Sequence, residues 1–292
     1  MTYSTQPTIL ITGATGSIGS ELAKQLADRN IPFRALVRNL DKAEALKQLK
    51  GAELIIGDFN DEQSILSALK GIKKAFLVSN SSEEAEGLQC SFVGLAAQSG
   101  VKHIVKLSQF AADLNSPVRF LRYHAVVEKK IRETGLQYTI LRPNLFMQGL
   151  LGFADPIKYQ QQFFATAGDA RISLVDTRDI AAIALAALTT TGHENQIYDI
   201  TGPEAISHQE IANILSQVLE KEIKYINVSD EDMQNALSSV GFPSWQLAGL
   251  IEDYAHYARG EAAVLSNTVK EVTGKAPRKF IDFVKEYRAA FE

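Results

Sequence analysis

Three glycines, Gly13, Gly16 and Gly19, punctuate ITGATGSIG (11–19), directly after the apolar run TILIT (8–12). Glycines at a strand-to-helix turn serve a tight turn, a close backbone approach to a pyrophosphate, and close helix–strand packing. The first turn of the helix then offers free N–H groups and a positive dipole end to the phosphates. No Gly-Lys-Ser/Thr triplet follows, which excludes a P-loop. Thr15, Ser17 and Ile18 share the loop and count with the glycines as expected cofactor contacts. Arg38 follows in ALVRN, where an acid would hold the ribose 2′-hydroxyl of NAD. A guanidinium there suits the 2′-phosphate of NADP through charge-assisted bonds; the alternative is an ordinary surface arginine. Asp41 lies close enough to weaken the preference, so NADP(H) is expected first and NAD(H) second. In GDFND (57–61), Asp58 can meet the adenine amino group and Phe59 its ring, or Asp58 or Asn60 caps the next helix. Ser79, closing KAFLVS (74–79), completes this part of the cofactor set.

A second group lies in RYHAVVEKK (122–130), where His124 and Glu128 stand four apart on one helix face. A histidine there can bind substrate or donate a proton near neutral pH, and Glu128 can orient it or raise its pKa. The alternative is an exposed pair that only supports the helix. The remaining histidines show no metal-ligand spacing.

The elements that must position these groups alternate. FRALV (33–37), AELIIG (52–57), KAFLVS, HIVKLS (103–108) and YTILRP (138–143) read as strands. Helical patterns lie between them at 41–50, 61–70, 83–98 and 118–134. The alternation predicts a Rossmann-like, doubly wound parallel α/β sheet covered on both faces. After Pro143 the texture changes, with a Gln/Phe-rich stretch at QQQFFA (160–165). RISLVD then leads into an alanine-rich helix at 177–189, with Asp176 as N-cap and Asp179 as first-turn acid. NQIYDIT (195–201) and IKYINV (223–228) read as strands, and Ser207 with Glu210 as a capping box opening a helix at 208–222. The expected division is a cofactor-binding domain over 1–150 and a smaller α/β lobe for substrate or partner over 151–292, within one continuous fold. Trp245, Ile251, Tyr254 and Tyr257 fall near one side of a late helix and read as core or as substrate box.

The chain has 292 residues, 46% of them apolar, enough for a sizeable core. A net charge of −4 argues against a nucleic-acid surface. One cysteine, Cys90, excludes an internal disulfide and a Cys-x-x-Cys redox pair. The start MTYSTQPT is polar, and no run approaches the length of a membrane span. The expected setting is cytoplasmic.

Taken in order, TGATGSIG, ALVRN, GDFND, YTILRPN, VDTRDIA, YDITGPEAISHQEIA and VTGKAPRKFIDFV resemble the short-chain dehydrogenase/reductase superfamily, and more closely its atypical, NmrA-like branch. The resemblance covers nearly the whole chain. It implies NADP(H) or NAD(H) on a Rossmann domain, with either reduction of quinones, dyes or aromatic precursors, or a regulator that holds cofactor and a protein partner without turnover. Most of the superfamily protonates a carbonyl with Tyr-x-x-x-Lys. None of the nine tyrosines here has lysine at +4, and Tyr123 has Val127 there. The His-x-x-x-Glu pattern at His124 resembles the quinone and dye reductases of the branch. Ser108 stands where the superfamily keeps a hydroxyl near the reacting carbonyl. Pro143 and Asn144 are expected to flank the nicotinamide. The sequence thus predicts NADP(H)-dependent reduction of a quinone or similar planar electrophile, with His124, Tyr123 and Ser108 meeting the substrate. Hydride transfer to such an acceptor needs no strong protein acid, so the missing dyad does not imply a dead enzyme.

Overall fold

The computed structural model describes residues 6–292. Its centre is a seven-stranded sheet built from β1 (Ile9–Ile11), β2 (Phe33–Val37), β3 (Ala52–Ile56), β4 (Lys74–Leu77), β5 (His103–Leu107), β6 (Gln137–Pro143) and the strand Gln196–Ile200. The order is β3-β2-β1-β4-β5-β6-(196–200), with every neighbouring pair parallel. Strands covered on both faces need apolar residues at successive positions, which explains why β1, β4 and β5 are buried almost throughout. One face packs on helices Ser17–Asp28 and Thr177–Thr189. The other packs on Glu62–Leu69, Ala85–Gln98 and Arg119–Glu133. The doubly wound Rossmann-like order reverses between β1 and β4, and that reversal opens a crevice at the carboxyl ends of the strands. Thr12, just after β1, ties it to the end of β4, its Oγ1 donating to Val78 O at 2.8 Å and accepting from Val78 N at 2.9 Å.

Residues beyond 150 serve both sheet and lobe. Gln196–Ile200 completes the sheet, whereas Gln162–Ala165 pairs in parallel with Lys224–Asn227, and Arg171–Ile172 antiparallel with Ile206–Ser207. Phe163, Ile211, Leu215, Phe280 and Phe283 centre the lobe's own core. The capping box at Ser207 and Glu210 forms as the sequence predicts, and Asp176 caps its helix through Arg178 N.

Several expectations are corrected. The helical pattern expected over 41–50 forms only across its first seven residues, as a 3-10 turn, Asp41–Ala43, followed by one α-helical turn, Glu44–Lys47. QQQFFA, to which the sequence reading assigns no element, contains the strand Gln162–Ala165, with Phe163 and Ala165 alternating inward. Asp61, not Asp58 or Asn60, caps the helix Glu62–Leu69, accepting from Gln63 N and Ser64 N. Asp179 does not act through the helix dipole alone: it is buried and bonds Arg278.

Candidate active site

The crevice deepens into a cleft of about 570 Å³ that runs from Arg38 and Phe59, past the glycine loop, to Tyr123, His124 and Asp253. The residues expected from the sequence to hold cofactor or meet substrate line it: Gly13, Thr15, Gly16, Ser17, Ile18 and Gly19 from the loop, Arg38, Asp58 and Phe59 from the ends of β2 and β3, Ser79 after β4, Ser108 after β5, Tyr123 and His124 from the helix Arg119–Glu133, and Pro143 and Asn144 at the end of β6; Glu128 does not.

The loop is tuned for close approach. Gly13 has φ +56°, and a Cβ there would sit 2.7 Å from Val78 Cγ1. At Gly19 a Cβ would sit 2.2 Å from Gly13 O, so only glycine lets the helix Ser17–Asp28 meet the turn. That helix has no side-chain N-cap, which leaves its first-turn N–H groups free for an anion. Arg38 is exposed and makes no ion pair among the described residues. Asn60 donates to the Asp58 carboxylate from backbone and side chain, holding its pKa below the usual range with Arg38 adding to the effect. Phe59 packs on Phe92, ring centroids 5.5 Å apart, and Gln89 donates to Ser79 Oγ at 2.8 Å. Asn144 is fully engaged: its amide donates to Ser173 Oγ and Ala262 O, and its oxygen accepts from Leu145 N.

At the far end the geometry departs from expectation. His124 and Glu128 do not pair, and neither is an exposed helix support. Glu128 is fully buried, accepting from Ser108 Oγ at 2.6 Å and from Arg142 at 2.9 and 2.7 Å. It therefore neither orients His124 nor raises its pKa. His124 instead has Lys106 Nζ at 3.0 Å from Nδ1. Burial, with the Lys106 charge adding, pushes the imidazole well below its ordinary value. Lys106 is fully buried in β5, and burial brings its ammonium down to about 7 against the opposing pull of Glu128. Tyr123 stacks on His124 with ring centroids 4.1 Å apart, and its hydroxyl meets Ser81 Oγ at 3.1 Å. Burial pushes that phenol up to about 12, so it stays protonated across the physiological range. The Ser108 proton is committed to Glu128, which leaves only the hydroxyl's lone pairs toward the cleft.

Two functional groups escaped the sequence reading. Lys106 sits in HIVKLS, where a lysine in an alternating strand reads as solvent-facing; its location in a sheet covered on both faces was the available signal. Asp253 falls among Trp245, Ile251, Tyr254 and Tyr257, a stripe dominated by its aromatic members. The acid with Tyr257 four residues on was the overlooked pattern. No group of three or more His, Cys, Asp or Glu side chains that could hold a metal ion occurs among the described residues.

The NmrA-like family model matches residues 5–287. The NAD(P)H azoreductase of Xenophilus azovorans is 35% identical over 283 residues, 97% of this chain and 99% of its own. Among solved structures, the NADPH-dependent quinone oxidoreductase of Escherichia coli complexed with NADPH is similar at a TM-score of 0.87 and 29% identity, covering 96% of this chain and 99% of that one. The Citrobacter triphenylmethane reductase complexed with NADP(H) is similar at a TM-score of 0.85 and 28% identity, covering 95% and 99%.

Proposed function

From the premise that the chain belongs to the NmrA-like family, we propose that it is an NADP(H)-dependent reductase of quinones or dyes. The observation that carries this reading is the continuity of the cleft from a phosphate-suited glycine turn to a buried aromatic and imidazole pair. The fit to a dinucleotide rests on the open helix N-terminus, on the two glycine positions that a Cβ would fill, and on unpaired Arg38. Gly13, Gly16 and Gly19, with the backbone of Thr15, Ser17 and Ile18, hold the pyrophosphate; Arg38 takes the 2′-phosphate; Asp58 and Phe59 meet the adenine; Ser79, Pro143 and Asn144 border the nicotinamide end. A bound dihydronicotinamide supplies the hydride.

His124 works as a neutral hydrogen-bond donor rather than as a strong acid. With Lys106 donating to Nδ1, the imidazole keeps its hydrogen on Nε2, free to meet a substrate oxygen. Tyr123 offers a ring face beside it, which favours a planar acceptor. The two rings and the buried lysine also exclude water from that end of the cleft.

Oxidation of NADPH and of NADH, followed by absorbance with a panel of quinones and dyes, tests the reading. Turnover with NADPH preferred is the expected result. Cofactor binding with no turnover of any acceptor would sink it and leave the regulator reading in its place. In the same assay His124→Ala is expected to cut turnover while NADPH affinity stays within about twofold, a change below ~0.5 kcal/mol.

A further inference from the structure

Asp253 lies on the helix Ser244–Ala258, lines the substrate end of the cleft, and is only 6% exposed. Gln109, one residue beyond Ser108, donates to both carboxylate oxygens, at 3.0 and 2.7 Å. The Tyr257 hydroxyl donates to Oδ2 at 3.3 Å. Each of these contacts gives a hydrogen to the carboxylate; none accepts one. The hydrogen bonds are those an ionised carboxylate uses, and the component missing is a positive charge. Among the described residues no cation pairs with Asp253. Its neighbour Glu252 has taken Arg119, at 2.7 Å, and Lys106 is turned to His124. A buried carboxylate without a counter-charge is held up in pKa, here to about 7, by burial against the pull of Gln109 and Tyr257.

We propose that Asp253, with the rings of Tyr123 and Tyr257 in the same cleft, forms a subsite for the delocalised positive charge of a planar aromatic cation. The inference deepens the reductase reading and rests on it for the cation being a substrate. Carboxylate and aromatic faces are the two partners that a diffuse organic cation seeks in a dry site. The chemistry is consistent with hydride reduction. Such a cation takes up one hydride, with its electron pair, from the dihydronicotinamide. It forms one C–H bond and becomes neutral, with no proton required from the protein. The charge that held the substrate is then gone, so the subsite discriminates against its own product. That attraction belongs to the ground state and fades along the reaction, so its loss should raise KM without lowering kcat.

N-methylacridinium and its neutral reduced form, N-methylacridan, are suitable probes, because they differ by one hydride. The cation is titrated into the protein saturated with NADP+, and the acridan into the protein saturated with NADPH, so that neither pair can react. Asp253→Asn is expected to weaken acridinium at least tenfold and to leave acridan within twofold. Equal changes for the two ligands, or none, would overturn the subsite. Should that variant fail to fold, the pH dependence of binding keeps the question open. It is measured in Lys106→Met protein, where the other group titrating near neutrality beside this end of the cleft is absent. Tyr123, Tyr254 and Tyr257 face Asp253 and stay protonated, Glu252 is tied to Arg119, and His124 titrates well below neutrality. Acridinium affinity should then fall about tenfold per pH unit below the carboxyl pKa, with acridan flat. A flat acridinium profile would refute the proposal. Charge-selective binding with no turnover of any acceptor would instead spare the subsite and sink the reductase reading.

Discussion

Arg38 stands exposed at the end of β2 with no carboxylate among the described residues bonded to it. Its value to a 2′-phosphate is that of a charge-assisted bond, about 1.5–3 kcal/mol. Arg38→Ala should erase a preference for NADPH over NADH of roughly tenfold or more, and titration of both cofactors measures it. Lys106 poses a different problem, because its charge has been carried into the core. Its folded pKa, about 7, lies below the ordinary 10.5. Below pH 7 the ammonium is charged in both states, and the folded one bears the full burial cost. Between 7 and 10.5 the unfolded chain holds the extra proton, so stability rises with pH, by at most about 1.4 kcal/mol per unit. Lys106→Met should therefore raise the melting temperature most below pH 7, and the gain should shrink as pH climbs toward 10. A pH-independent gain would contradict the depressed pKa. The residues that line the cleft around the glycine turn were legible in the sequence because each follows a strand at a spacing set by backbone geometry. Lys106 and Asp253 were not, because their significance lies in what fails to surround them, and a sequence does not show a missing counter-ion.

At the scale of elements, the helix Arg119–Glu133 is held to the sheet by more than its apolar stripe of Leu121, Val127 and Ile131. Glu128 joins it to the ends of β5 and β6 through Ser108 and Arg142. Removing one partner of a buried pair strands the other, at a cost of about 3–5 kcal/mol. Glu128→Gln should lose stability on that order in denaturant unfolding, and Arg142→Gln a comparable amount. The double variant should lose much less than the sum. Strand β2 and the helix over 177–189 were readable to the residue, because a short, mostly apolar run after Pro32 and an alanine-rich one after the cap Asp176 admit few alternatives. The strand in QQQFFA was hidden, since glutamines obscure its alternation and its partner, Lys224–Asn227, lies sixty residues on. Glu128 was misplaced because i, i+4 spacing says two side chains share a face but not which strand that face meets.

For the whole molecule, Asn144 is the stitch between sheet and lobe. It stands one residue beyond β6 and bonds Ser173 and Ala262, both outside the sheet. Asn144→Ala leaves those buried groups short of a partner, at about 1–3 kcal/mol. The expected result is a lower melting temperature and a raised KM for the electron acceptor. NADPH affinity should change little, because the glycine loop lies elsewhere. A change in NADPH affinity as large as the change in KM would show that Asn144 serves the cofactor directly.

The parallel partner of β6 arrives late. Residues 144–195 intervene before Gln196–Ile200 can dock beside it, and loop closure on that scale precedes any reward from pairing. A ribosome-bound chain that has completed β6 therefore presents an open strand edge, rich in Tyr138, Ile140 and Leu141, until roughly sixty more residues have emerged. The helix that carries Asp253 emerges later still, so the glycine turn and the first six strands can take shape before the far end of the cleft exists.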